Sequence, residues 1–350
     1  MAVVPTNTMA DRRRELVAFG AFVALAVGLL TWAKWWPYAV KIPKTAVTHA
    51  LGDSIITGTG AAPAGFSLTS GLEFARTYFL AIWPALLAGL IIGAAVTVLV
   101  PRTWLMRALA TKPRTSTLRG GLLSLPTMMC SCCAAPVVVC LRQRGASIGA
   151  AMAFWVGNPA LNPAVLAFSF FVLGWQWTAL RAAAGVLLVV STVAFTQARF
   201  AGVGEPLTVS AGVPETRPLA VRFVAALGGL SSRLLPEYLL LVVVLGALRG
   251  PLFTGGIGMR AGVLAVLVFA VAGAVLPIPT AGEIPAVAAL LTLGVSAPVA
   301  AALLITLPAL SLPSLVMVRR AFPAKVLGAT TAGVIALGLM TAAGAALIGL

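Results

Sequence analysis

Charge is what this chain has least of. Asp, Glu, Lys and Arg make up 9% of its 350 residues, only eight are acidic, and His49 is its one histidine. So little charge cannot clothe a water-soluble fold of this size. No Walker A pattern is present, which excludes ATP binding by that route. Cysteine spacing of the zinc-ribbon kind is missing, no cofactor is expected, and no catalytic set marks an enzyme. Alternating segments of about ten residues, the mark of a transmembrane barrel, are also absent. What the chain does have is apolar surface: 60% of residues, with a mean hydropathy of +1.05. Runs near the length that crosses hydrocarbon as a helix recur throughout, among them Leu16 to Ala33, Phe79 to Val100, Thr178 to Ala194 and Ala297 to Val318.

The net charge is nevertheless +16. Most basic residues fall in short gaps between apolar runs, where they orient helices and meet anionic headgroups. A basic face for nucleic acid is missing, so membrane lipids are the expected partners and nucleic acid is not. The segment Asp11 to Glu15 followed by an apolar run resembles a signal peptide. That run continues into Trp32, Trp35 and Trp36, which read as interfacial anchors, so a retained first helix is expected.

A repeat organises the rest. Pro136, Gly145 and Ser147 recur as Pro285, Gly294 and Ser296, and Pro159-Ala160-Leu161 recurs as Pro308-Ala309-Leu310, all at an offset of 149. Suppose the first motif segment, roughly 120–141, and its counterpart, roughly 262–293, each dip in and return to the side they left. Equivalent points are then three crossings apart and the halves are inverted. That arrangement puts 17 basic residues inside and six outside, with Arg181 within a helix; a single crossing per segment gives 13 against ten. The expected fold is therefore an all-α integral membrane bundle of about eight to ten segments, built from two inverted repeats with proline-broken or re-entrant motif helices. Residues 1–73 form an N-terminal membrane helix and external loop, and 74–197 the first repeat. Residues 198–233 form a basic, cytoplasmic linker and 234–350 the second repeat. A multi-pass protein of a bacterial inner membrane is the expected setting, and nothing in the sequence specifies an oligomeric state.

Inverted repeats with interrupted helices point to a secondary transporter whose site lies near the midplane. Prolines interrupt both motif segments, at Pro126 and Pro136 and then at Pro277, Pro279 and Pro285. The helices after them carry Pro159 and Pro163, then Pro308 and Pro313. Proline kinks membrane helices without any site, but matched positions in both halves favour one.

Between the first two breaks, Met128-Met129-Cys130-Ser131-Cys132-Cys133 holds five sulfur atoms in six residues; Cys140 is the other cysteine. Thiolates and thioethers are soft donors suited to Cu(I), Zn and trivalent arsenic, so Cys130, Cys132 and Cys133 are candidate ligands. Small cysteines also pack well between membrane helices, and buried thiols keep their protons. Asn158 and Asn162, in overlapping Asn-Pro-Ala triplets, need partners or a water-lined path at this depth. The triplets resemble the aquaporin signature, which has one in each half; here the second half reads Leu307-Pro308-Ala309. Glu283 is an intramembrane carboxylate that either exchanges a proton or attracts a cation, or else caps a half-helix. Glu237 reads as interfacial, beside Arg233, and Arg181 as snorkelling toward Trp175 and Trp177.

Taken together, these motifs resemble a family of predicted bacterial permeases that includes the organoarsenical efflux permease. Cys130-Ser131-Cys132-Cys133, Pro136, Leu141, Gly145, Ser147, Ala150, Ala151, Phe154 and Pro159 match its first motif. Glu283-Ile284-Pro285, Gly294, Pro308-Ala309-Leu310-Ser311-Leu312-Pro313 and Ser314-Leu315 are similar to its second. The likeness spans roughly 74–322, and Cys133 stands where the family usually has Gly. The resemblance implies non-ATP export of a small or metalloid solute, with coupling to a proton or cation as an expectation, along a path that includes Ser131 and Ser311. The alternatives are a passive pore lined by Asn158 and Asn162 and a thiol-redox membrane protein using the cysteines.

Overall fold

The computed structural model describes residues 9–52, 54, 65–110, 112–200, 217–257 and 262–350; part of the expected linker and part of the expected outer loop lie outside them. Every described element is a helix. The chain opens with α1 (Met9–Leu30), a π-helical turn (Thr31–Trp35) and α2 (Trp36–Thr48), which together form one long helix. There follow α3 (Leu68–Leu99), α4 (Arg102–Leu109), α5 (Pro113–Ser124), α6 (Ser131–Gln143), α7 (Ile148–Ala160), α8 (Pro163–Leu173) and α9 (Trp175–Phe200). The second half holds α10 (Leu219–Ile257), α11 (Val263–Val275), α12 (Glu283–Thr292), α13 (Ala297–Ala309), α14 (Leu312–Val318) and α15 (Ala324–Leu347). Among the described residues, seven helices are long and apolar enough to cross a membrane, with α7–α8 and α13–α14 each counting as one interrupted span.

The repeat of the sequence is a repeat of local structure. An offset of 149 carries the start of α7 onto that of α13, α8 onto α14, and α9 onto α15. The turn after α6 closes with Gly145 N–H to the Arg142 carbonyl and Ala146 N–H to that of Leu141. The turn after α12 closes with the equivalent bonds, Gly294 to Leu291 and Val295 to Leu290. Both glycines take positive φ, +100° and +81°, which L side chains avoid. The offset also pairs two caps: Asn162 accepts from the backbone of Ala164 and Val165 at the start of α8, and Ser311 from Ser314 at the start of α14.

α5 and α6 form a hairpin whose two ends lie at the same end of the bundle. α5 runs parallel to α7: the Thr117 side chain faces Gly149, and Ser124 faces Gly157 one face further along. α6 then returns, and Ser147 N–H donates to the Leu109 carbonyl at the end of α4 while the Arg144 guanidinium reaches the Val100 carbonyl just beyond α3. The hairpin therefore returns to the end of the bundle it left. At 1.5 Å per residue, the 12 residues of α5 carry its tip about 18 Å inward, roughly half the thickness of hydrocarbon. α11 and α12 repeat the design, and the Ser124–Gly157 contact reappears as Thr306–Gly273 with the glycine on the other partner.

The first hairpin is held against α3 backbone to backbone. Gly89 and Gly93 form a Gly-x-x-x-Gly face; a Cβ on Gly89 would meet the Cys133 carbonyl, and one on Gly93 the Pro136 carbonyl at 3.0 Å. α3 in turn packs antiparallel on α10: Ser67 N–H donates to the Ala247 carbonyl, Gly71 abuts Val243, and Gly93 faces Leu230. Pairing across the halves is reciprocal, with α6 against α14 and α12 against α8.

Two expected breaks are helical instead. Pro136 lies inside α6, where it leaves the Cys132 carbonyl without its helical donor and bends the helix; Pro285 is the third residue of α12, where its missing N–H has no intrahelical partner to lose. Pro159 and Pro308 likewise sit within α7 and α13, and the chain leaves the helix just after them, ahead of Pro163 and Pro313. Pro126 and Pro279 do fall at the hairpin tips.

Candidate functional site

The two hairpin tips, the α7–α8 and α13–α14 breaks and the middle of the N-terminal helix converge. At the first tip, Met128 takes positive φ, +49°, and turns the chain from the 3-10 turn at Pro126 into α6. Asn158 anchors this turn. Its amide oxygen accepts from the Met129 N–H at 3.0 Å and from the Thr127 hydroxyl, and its amide nitrogen donates to the Phe154 carbonyl. Trp155 donates its indole N–H to the Ser131 carbonyl at 2.9 Å. The broken-helix segment thus sets the first tip, with Asn158 doing so at 1% exposure.

Cys130 caps α6, its sulfur accepting from the Cys133 N–H, and the Cys130 and Cys133 sulfurs lie 2.8 Å apart. Cys132 sits between the Tyr78 hydroxyl of α3, at 3.7 Å, and the Ser311 hydroxyl at the α14 cap, at 3.3 Å. All four cysteines are free and buried, Cys140 away from the tip in the body of α6. The three clustered sulfurs are neighbours, yet among the described residues no three His, Cys, Asp or Glu side chains converge as a metal site. Asn162 is buried with its oxygen committed to the α8 cap.

At the second tip, Ala281 turns the chain at φ +70° and Glu283 opens α12 at 1% exposure. Here the structure corrects the reading of Arg181. That side chain does not snorkel; it is 1% exposed and pairs with Glu283 at 2.6 Å. Its fork also donates to the Pro159 and Leu304 carbonyls at 3.2 and 3.1 Å. In an unbroken helix those carbonyls would accept from residues 163 and 308, which are prolines and have no N–H. Arg181 therefore takes up one proline-freed carbonyl from each half and ties both to the second tip. Glu283 Oε2 has no hydrogen-bond partner among the described residues. Glu237 pairs with Arg319 at 2.7 Å and Arg320 at 3.4 Å, on the surface, rather than with Arg233.

Trp35, read from the sequence as an interfacial anchor, and Lys34, which that reading did not single out, both sit at mid-helix beside the tips. The helix continues thirteen residues past the π turn, so the apolar run does not end at Ala33. Trp35 donates its indole N–H to the Pro126 carbonyl at 2.7 Å, and the Lys34 ammonium, 5% exposed, donates to the Thr280 hydroxyl at 2.9 Å. One helix thus touches both tips. The signal that could have found Lys34 is a lysine inside an aromatic stretch, Trp32 to Tyr38, that stays helical and largely apolar on both sides.

Among the described residues, seven apolar helices of membrane-spanning length, two hairpins and buried polar groups gathered at their tips define a polytopic helical membrane protein. The family described as "Predicted permease" matches residues 67–201, and the chain is 42% identical over 332 residues to the UPF0718 protein YraQ of Escherichia coli (strain K12), covering 91% of this chain and 92% of that one. The chain belongs to this predicted permease family, and so is a membrane transporter. No solved structure matches it.

Proposed function

We propose that this permease exports a small thiophilic solute, a metalloid or organoarsenical species being the leading class, across a bacterial inner membrane without ATP. The observation that carries the reading is the Cys132–Ser311 contact at 3.3 Å, which joins the sulfur cluster of one half to the cap of the other. A soft donor set at the interface of two repeats is where a secondary transporter holds its solute. We read the halves as inverted repeats, supported by the antiparallel α3–α10 packing and the shared offset. Cys130, Ser131, Cys132, Cys133 and Ser311 touch the solute, while Asn158 and Asn162 border the path by holding the tip and the half-helix. The unpartnered Oε2 of Glu283 is the point at which a proton or cation couples to the cycle.

The test is growth of a metalloid-sensitive bacterial host expressing the chain, across arsenite, methylarsenite, selenite, copper and a control that does not bind thiols. Protection against at least one soft species is expected, and its loss in a Cys130→Ser/Cys132→Ser/Cys133→Ser variant present at equal level in the membrane. Undiminished protection by that variant refutes the sulfur contact.

A further inference from the structure

Lys34 carries a charge that no carboxylate answers. Among the described residues it makes no ion pair; its ammonium has the Thr280 hydroxyl at 2.9 Å, the Tyr38 hydroxyl at 3.3 Å and the Tyr38 ring centroid at 5.5 Å, all neutral. Glu283, the carboxylate at the second tip, is committed to Arg181. A buried ammonium at this depth is costly and marks a site by default. Two further sources of the same sign adjoin it. Trp35, its neighbour on the helix, donates to the Pro126 carbonyl at the tip that leads into α6, and Thr280, which Lys34 touches, precedes the start of α12 by three residues. Helix starts carry partial positive charge. The π-helical turn that presents Lys34 is itself a form found at functional positions.

We infer that Lys34, with Thr280 and the starts of α6 and α12, binds the transported solute as a small anion. This rests on the permease reading and narrows its substrate class. The ammonium meets a negatively charged oxygen while the sulfurs of the first tip meet the soft central atom. A neutral trivalent arsenical supplies the second contact alone; an oxyanion of a soft element supplies both. The arrangement also gives the N-terminal helix its function: it brings to the two tips a counter-charge that no carboxylate there already holds.

The test uses the full chain in liposomes at pH 7, with labelled selenite as the anionic soft probe and arsenite, present as neutral arsenous acid, as its uncharged counterpart. Saturable selenite flux above that of arsenite is expected. Lys34→Met raises the half-saturation concentration for selenite about tenfold to a hundredfold, the worth of one hydrogen bond to a charged group. Lys34→Arg keeps the charge and stays near the unaltered protein. A folded Lys34→Met with unchanged half-saturation overturns the inference. So does a preference of the unaltered protein for arsenite over selenite, which leaves the export of soft solutes standing and needs no variant to fold. Flux of neither probe by a monodisperse protein overturns the reading of soft-solute export and this inference with it.

Discussion

Replacing Arg181 by methionine removes three contacts at once: the Glu283 carboxylate and the two carbonyls that Pro163 and Pro308 leave without helical donors. Stranding a buried partner of an ion pair costs about 3–5 kcal/mol, and each orphaned buried acceptor adds about 1–3 kcal/mol. Against a total stability of about 5–15 kcal/mol, Arg181→Met is expected to be close to unfolding. Glu283→Leu strands the guanidinium but leaves both carbonyls served, for about 3–5 kcal/mol. The double variant Arg181→Met/Glu283→Leu strands no charge, so it is more stable than Arg181→Met alone, and the cycle returns a coupling of about 6–10 kcal/mol, the two stranding costs together. Arg181→Lys keeps the charge but loses the planar fork, and falls between the unaltered protein and Arg181→Met. Detergent-micelle unfolding by dodecyl sulfate, followed by the fluorescence of the eight tryptophans, measures all four. Costs that simply add in the double variant, or an Arg181→Met loss under about 1 kcal/mol, would refute the account of Arg181 as the tie between halves.

Gly89→Leu forces a side chain into the Cys133 carbonyl; overpacking of this kind costs about 1–3 kcal/mol, and transport falls with the displaced tip, readable as lost resistance at equal membrane level. Asn158→Ala strands the Met129 N–H at the first tip, for about 1–3 kcal/mol, checked by thermal unfolding in detergent. Trp35→Phe removes one neutral hydrogen bond to the Pro126 carbonyl, worth about 0.5–1.5 kcal/mol, whereas Trp32→Phe, whose ring only packs on Trp83, shifts the same unfolding curve less.

The helix ends were legible because their causes are local. Pro163 and Pro313 stop a helix by lacking an N–H, so the offset of 149 in sequence returns as an offset in structure. Composition likewise showed a polytopic helical bundle. Partner choice was not legible. Arg181 finds Glu283 across 102 positions and Lys34 finds Thr280 across 246, through packing that no short-range pattern encodes. Lys34 was missed for a further reason: a lysine among tryptophans marks a membrane interface when the helix ends there, and here the helix continues to Thr48. Pro136 misled because a proline bends a helix without breaking it when neighbouring backbone packs tightly, as Gly93 does against it.

The reciprocal pairing of α6 with α14 and α12 with α8 bears on how the chain is made. Cys132 and Ser311 are 179 positions apart, and a ribosome adding about 5–20 residues per second needs roughly ten to forty seconds to cover that distance. For that interval the first hairpin has emerged without the cap that completes its tip. The nascent first half must park its polar turn against lipid headgroups, insertase or water until the second half arrives, so synthesis rate and insertion become part of what determines the yield of correctly assembled protein.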